Sequence, residues 1–132
     1  MKTFKLRIVT PKGVYKDTDV EMLNLQTTTG QIGILAQHIP LASGIEISEM
    51  NYIQDGERYV FAIAGGFVYV SETETTIIAN AIESPEEIDL ERAEKSKQRA
   101  EKRISDKSDV DILRAEVALK RALNRIHVKN GN

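Results

Sequence analysis

The 132-residue sequence predicts a two-domain fold, all-β and then all-α: an N-terminal β-sandwich at residues 1–84 and a C-terminal antiparallel two-helix hairpin at 85–132. Three observations predict it. Before Ser84, apolar residues alternate in short runs broken by Gly, Pro and Asp, as in half-buried strands. After Ser84 they step by three and four, as on a helix face. The last third also writes one helix twice. Residues 92–104 (RAEKSKQRAEKRI) and 114–126 (RAEVALKRALNRI) share the pattern R-A-E-x4-R-A-x2-R-I, and the copies start 22 residues apart.

In chain order, Phe4, Leu6 and Ile8 alternate with Lys5 and Arg7 and form a first strand. Pro11-Lys12-Gly13 is a turn, and Val20 to Gln26 a second strand. Asp55-Gly56 between Asn51-Tyr52-Ile53 and Arg58-Tyr59-Val60-Phe61 marks a hairpin. Val60 to Val70 is β-branched and aromatic, and its Gly65-Gly66 pair marks a bulge or a close backbone approach. Thr75 to Ile82 is a last strand.

Ser84-Pro85-Glu86-Glu87 carries the signature of a helix start, with Asp89 as a second cap one turn later. The first helix runs to about Ile104, breaks over Ser105 to Asp109, and Ser108 caps a second helix that runs to about Val128. Ala93, Ser96, Ala100 and Ile104 form the apolar stripe of the first helix. Ile112, Ala115, Leu119, Ala122 and Ile126 form that of the second. A seam so rich in Ala allows close approach but buries little area, so the hairpin is marginally stable and reversible.

Composition narrows the functions. The net charge of −2 argues against a general nucleic-acid binder, but it divides into −6 over residues 1–87 and +4 over 88–132. There is no Cys, and His occurs twice, which excludes disulfide frameworks, thiol chemistry and the common zinc sites. The longest apolar run is too short to span a bilayer, and the N-terminus lacks the core of a signal peptide. No phosphate loop of the form G-x-x-x-x-G-K-[ST] is present, and His38 and His127 have no nearby nucleophile, so an enzyme is not expected.

Arg92, Arg99 and Arg103 share one face of the first helix, and Arg114, Arg121 and Arg125 one face of the second. Each stripe is either a solvated face or half of a clamp for a polyanion, to which Arg offers a planar fork of donors. Ile88-Asp89-Leu90-Glu91-Arg92-Ala93 is either an ordinary helix start or an acceptor and apolar surface for an adenine ring beside a cation. The glycines of Gly30-Gln31-Ile32-Gly33 are read as serving turns with positive φ.

The chain resembles the epsilon subunits of bacterial F-type ATP synthases, in their bacillus-like form. The resemblance covers nearly the whole sequence. It rests on I-V-T-P at 8–11, G-Q-I-G-I-L at 30–35, H-I-P-L at 38–41, A-G-G-F-V at 64–68, I-D-L-E-R-A at 88–93 and R-A-E-V-A-L-K-R-A-L-N-R at 114–125. Ala36-Gln37 stands where Pro-Gly is usual, Ala64 where Ser is common, and Gln31 where an acid is frequent.

The resemblance implies a non-catalytic rotor subunit on the cytoplasmic face of the bacterial plasma membrane. Its sandwich would bind the gamma subunit and the c-ring, with Gln31 to His38 facing the c-ring. Its C-terminal helices would act as a brake, entering the alpha/beta catalytic head when extended and releasing hydrolysis when folded down. It further implies ATP as a regulatory ligand of the folded-down form, held by Glu83, Ile88, Asp89, Arg92, Ala93, Arg99, Arg121 and Arg125, with no metal required. The competing expectation is a free-standing ATP-binding sensor or helical interaction module that does not assemble.

Overall fold

The computed structural model describes residues 2–106 and 112–131. The chain divides into two compact units, Met1–Ile82 and Glu83–Asn132. The first holds strands β1 (Phe4–Thr10), β2 (Gly13–Val20), β3 (Met22–Thr27), β4 (Gly30–Leu35), β5 (Leu41–Gln54), β6 (Glu57–Val70) and β7 (Glu74–Ala79), and ends at a short β8 (Ile82–Glu83). The second holds helices α1 (Leu90–Asp106) and α2 (Ile112–Asn130).

Hydrogen bonding runs β2-β1-β7-β6-β5-β3-β4, with β8 against β6. All pairs along that order are antiparallel except β1 with β7. The sheet folds over itself into a sandwich. Gln54 on β5 donates from Nε2 to Thr18 Oγ1 at 2.7 Å and to the Asp19 carbonyl at 3.0 Å, joining β5 to β2 although the two are far apart in the order. Phe4, Leu6 and Ile8, expected from their alternation, are buried in one core with Val20, Leu23, Leu25, Ile34, Met50, Ile63 and Ile77. Phe61 stacks on Tyr52 at 5.4 Å and meets the edge of Tyr15 at 6.1 Å.

Several strand expectations change. The single strand at 20–26 is β3 alone, starting at Met22, and a further strand, β2, precedes it. Of the two glycines expected to serve turns with positive φ, Gly30 follows the Thr28-Thr29 turn at φ +131° and opens β4, whereas Gly33 lies within that strand, packed toward Met22. The strand expected at 75–82 stops at Ala79 and resumes at Ile82. The Asp55-Gly56 turn is present, with φ of 52° and 78°, the left-handed pair that a tight hairpin requires. At Gly65-Gly66 the β5–β6 register is unbroken, so the reason for the glycines is close approach rather than a bulge. A Cβ on Gly66 would stand 2.1 Å from the Ile78 carbonyl oxygen.

α1 begins one turn after Ser84. Asp89 is its cap: its Oδ1 accepts from the Arg92 N–H at 3.1 Å, and its carbonyl accepts from the Ala93 N–H at 3.0 Å. Ser84 instead shapes the preceding turn, with its N–H donating to Glu87 Oε1 at 2.9 Å and its carbonyl accepting from the Glu87 N–H at 3.0 Å. Ser105 and Asp106 belong to α1, so the helix overruns the expected break. Ser108, expected to cap α2, lies outside the described residues.

The helices are antiparallel. Glu83 and Pro85, ahead of α1, meet Arg125 and Lys129 near the end of α2, while Arg103 and Ala100 share a groove with Arg114 and Ala115. In this register Ala93 is level with Ala122, and Ala100 with Ala115. All four are buried, at 0%, 2%, 4% and 5% exposure in that order. Ser96, Leu119, Ile104 and Ile126 are half-buried beside them. Ile112, expected in the seam, is 41% exposed at the first residue of α2, beyond the outer Ala layer.

Candidate functional site

The chemistry-bearing side chains of the second unit gather at two ends of the hairpin. At the end where α1 starts, Glu83 and Arg125 form an ion pair with Nε 2.7 Å from Oε1 and Nη2 donating to Oε2 at 3.4 Å. Both are half-buried, at 31% and 24% side-chain exposure, so the pair is partly shielded from water. The Arg125 Nε–H is buried without an aligned acceptor, which makes the short contact one of charge rather than of a well-directed hydrogen bond. Lys129 Nζ donates to the Pro85 carbonyl at 2.8 Å. Ile88 and Ala93 are buried, and Asp89 is committed to the cap.

Along α1, Arg92, Lys95, Gln98, Arg99 and Lys102 line a shallow groove of about 420 Å³. That volume is within the range of small-molecule sites. The four cations follow the helix repeat, so they project over one face. Lys95 is paired to Glu91 at 3.2 Å, and Arg99 Nη2 donates to Ser96 Oγ at 3.2 Å.

Toward the other end of the hairpin, a second groove of about 210 Å³ lies between the helices. Ser96, Arg99, Ala100 and Arg103 line it from α1, and Arg114, Ala115 and Ala118 from α2. The small seam residues leave its floor low, and the arginines form its rim.

The residues carried over by resemblance are therefore distributed. Glu83 meets Arg125, and Arg92 shares a groove with Arg99. Ile88 and Ala93 are packed inside, and Arg121 is exposed on α2. Arg103 and Arg114 were legible as stripe members, but their convergence with Arg99 needs the antiparallel register. Among the described residues no group of three or more His, Asp or Glu is placed to hold a metal ion, and no helix is long and apolar enough to cross a membrane.

In the first unit, the segment after β4 exposes Leu35 and, at 78%, Ile39. Gln37 stands at φ 66°, the left-handed conformation a glycine would hold at that place. His38 Nδ1 lies 2.7 Å from the Ile39 carbonyl, and the His38 N–H donates to the Leu35 carbonyl at 3.2 Å. Phe67, Tyr69 and Ile78 form an exposed apolar patch across β6 and β7, with Phe67 paired in register to Ile78.

Two family descriptions match the chain. "ATP synthase, Delta/Epsilon chain, beta-sandwich domain" covers residues 3–85, and "ATP synthase, Delta/Epsilon chain, long alpha-helix domain" covers 86–130. The chain is similar to the ATP synthase epsilon chain of Bacillus subtilis (strain 168), 46% identical over 109 residues that make up 83% of each protein. It is similar to that of Bacillus pumilus (strain SAFR-032), 41% identical over 128 residues, 97% of this chain and 98% of the other. In fold it is similar to a chain of the Euglena gracilis mitochondrial ATP synthase, with TM-score 0.80 and 23% identity over 92% of this chain and 78% of that one.

Proposed function

We propose that this chain, which belongs to the epsilon-chain family of ATP synthases, carries a nucleotide-dependent switch in its helical hairpin. The chain is a non-catalytic subunit of the central stalk of an F-type ATP synthase, with a coupling and regulatory role. In the proposed switch, ATP binds the closed hairpin at the end where α1 starts. The adenine sits by Glu83, Ile88, Asp89 and Ala93, and the phosphates lie along Arg92, Arg99, Arg121 and Arg125. Without ATP the helices extend toward the alpha/beta catalytic head and brake hydrolysis.

The observation that carries this reading is the Glu83–Arg125 pair ahead of α1, with the Asp89 cap and the Arg92 and Arg99 side chains following on the same helix. An acceptor and a fork of donors are thus supplied by one end of one small unit. The Ala seam gives the second requirement, a closed state of low stability. A ligand that binds only that state at 100 times its Kd adds about 2.7 kcal/mol to it, comparable with the seam itself.

The remaining partners follow the same reading. The sandwich docks the gamma subunit, and the apolar Phe67, Tyr69 and Ile78 patch is the surface that suits it. The segment from Gln31 to His38 meets the c-ring through Leu35 and the adjoining Ile39, by apolar contact where other members offer an acid. The chain is then peripheral, on the cytoplasmic face of the membrane.

Calorimetric titration of the chain with ATP tests the switch. Saturable heat below millimolar ATP is expected, with affinity falling roughly tenfold or more in Arg92→Ala and Asp89→Ala. No heat at about millimolar ATP, where a Kd gives only ~4 kcal/mol of binding, would remove the nucleotide site and leave the subunit assignment standing.

A further inference from the structure

The duplication extends beyond the R-A-E pattern. Ile88-Asp89-x-x-Arg92-Ala93 recurs in the sequence 22 residues later as Val110-Asp111-x-x-Arg114-Ala115. Two equal copies folded antiparallel are related by an approximate two-fold axis through the middle of the seam, and the Ala layers obey it: Ala93 against Ala122 exchanges with Ala115 against Ala100. The same operation carries Arg114, Arg99 and Arg103, the three arginines of the 210 Å³ groove, onto Arg92, Arg121 and Arg125. Those three, together with Arg99, are the phosphate side of the nucleotide reading, so Arg99 is common to both.

We infer that the groove rimmed by Arg99, Arg103 and Arg114 is a second anion site, for a phosphate-bearing ion the size of inorganic phosphate or pyrophosphate. Three arguments support it. Size comes first: at about 210 Å³ the groove is smaller than the roughly 300–1,000 Å³ of drug-sized sites and suits a phosphate group. Charge comes second. At the first end Glu83 answers Arg125, whereas the residue that stands in Glu83's place in the second copy is the neutral Ser105. Among the described residues no carboxylate pairs with Arg103. Donor chemistry comes third. Arginines from two helices and Ser96 line one concavity, and arginine offers a planar fork of donors matched to tetrahedral oxyanions. A bound anion would bridge α1 to α2 beside the Ala100–Ala115 layer and close the hairpin from the end opposite the nucleotide.

The inference rests on this groove and not on the nucleotide reading, and the test separates them. Arginine side-chain Nε–Hε correlations are followed in the full chain during titration with pyrophosphate, and ATP is titrated separately. Pyrophosphate is expected to shift Arg99, Arg103 and Arg114 along one saturating curve. Arg103→Gln with Arg114→Gln should weaken that curve by roughly tenfold or more, and Arg92→Gln should leave it unchanged. Because these side chains are exposed, the variants keep their fold, and Arg103→Lys with Arg114→Lys retains charge while removing the forks. Shifts that are unsaturable and alike at every arginine would reduce the effect to ionic screening and overturn the site. So would saturation confined to Arg92, Arg121 and Arg125, or an unchanged curve in the double Gln variant. Nucleotide binding is read independently, from the backbone amides of Ile88 to Ala93.

Discussion

Ala100→Leu tests the hairpin where it is thinnest. Ala100 and Ala115 face each other at 4% and 5% exposure, with Ala93 and Ala122 two turns away at 0% and 2%. At about 0.8 kcal/mol per buried methyl-sized group, the four Ala side chains contribute about 3 kcal/mol. A leucine at 100 must drive the axes apart or leave its rotamer well, an overpacking cost of about 1–3 kcal/mol. That is comparable with the whole contribution of the Ala layers, so the closed fraction relative to the open one falls by roughly 5–150-fold. Helices of 17 and 19 residues hold little structure unaided, so the loss is visible as lost protection. Hydrogen exchange read by mass spectrometry is expected to quicken across α1 and α2 and to stay unchanged in β1, β3, β6 and β7. Glu101→Leu, on the exposed side of the same turn, is the control and leaves α1 as it was. Unchanged exchange in Ala100→Leu, or equal loosening in Glu101→Leu, would refute the close-packed Ala seam.

Three further outcomes are expected. Gly66→Ala places a Cβ 2.1 Å from the Ile78 carbonyl oxygen at a φ of +149°, and should cost the sandwich more than about 4 kcal/mol, measured by urea denaturation. Gln37→Gly relieves a left-handed φ of 66°, worth about 1–2 kcal/mol, against about 0.5–1 kcal/mol of extra unfolded-state freedom, for a net gain of up to ~1.5 kcal/mol in the same assay. Burial, with a smaller contribution from Tyr59, raises the Tyr52 phenol above its ordinary 10.0. The folded state therefore keeps a proton that the unfolded chain loses. The stabilisation is whole below pH 10.0 and falls as pH rises through the raised value, and in Tyr52→Phe the alkaline decline of the urea midpoint should be shallower.

How much was legible in the sequence depended on where each element lies. β1 and the end of β6 from Phe67 to Val70 belong to interior strands with one buried side chain in two, so alternation betrays them. β2 and β4 escaped because they are the two edges of the sheet. An edge strand buries few side chains: Gly13 to Val20 ends in a single fully buried residue, and β4 buries only Ile34 completely. Its sequence is then free to carry Lys, Asp, Thr and Gly, which read as turn residues. The start of α1 was ambiguous because Ser84 and Asp89 both have capping chemistry, and the chain uses both, one for a turn and one for the helix. The Glu83–Arg125 pair was carried over from the family as two separate residues, because partners 42 positions apart leave no local trace.

The duplicated helix explains why this hairpin is suited to switching. Perfect copies would make the two ends of the hairpin equal, and a ligand for one end would bind the other equally. The copies differ where it matters: the first has Glu83 against Arg125 and Lys129 on the Pro85 carbonyl, while Ser105 replaces the carboxylate in the second. Opening the hairpin must therefore break a half-buried ion pair at one end, and at the other it separates Arg99 and Arg103 of α1 from Arg114 of α2. A bound species can bias that balance only through its preference for one state. An anion among the second set of arginines bridges the two helices, so it adds a contact that only the closed hairpin holds. A nucleotide at the first end acts through a pair that already favours closure. Glu83→Gln separates the two contributions. It removes a pair worth about 1–2 kcal/mol, between the values for exposed and buried bridges, so exchange should quicken first in the last turns of α2. Pyrophosphate should restore the hairpin's protection from the opposite end. If it restores none, the two ends are not coupled through the seam.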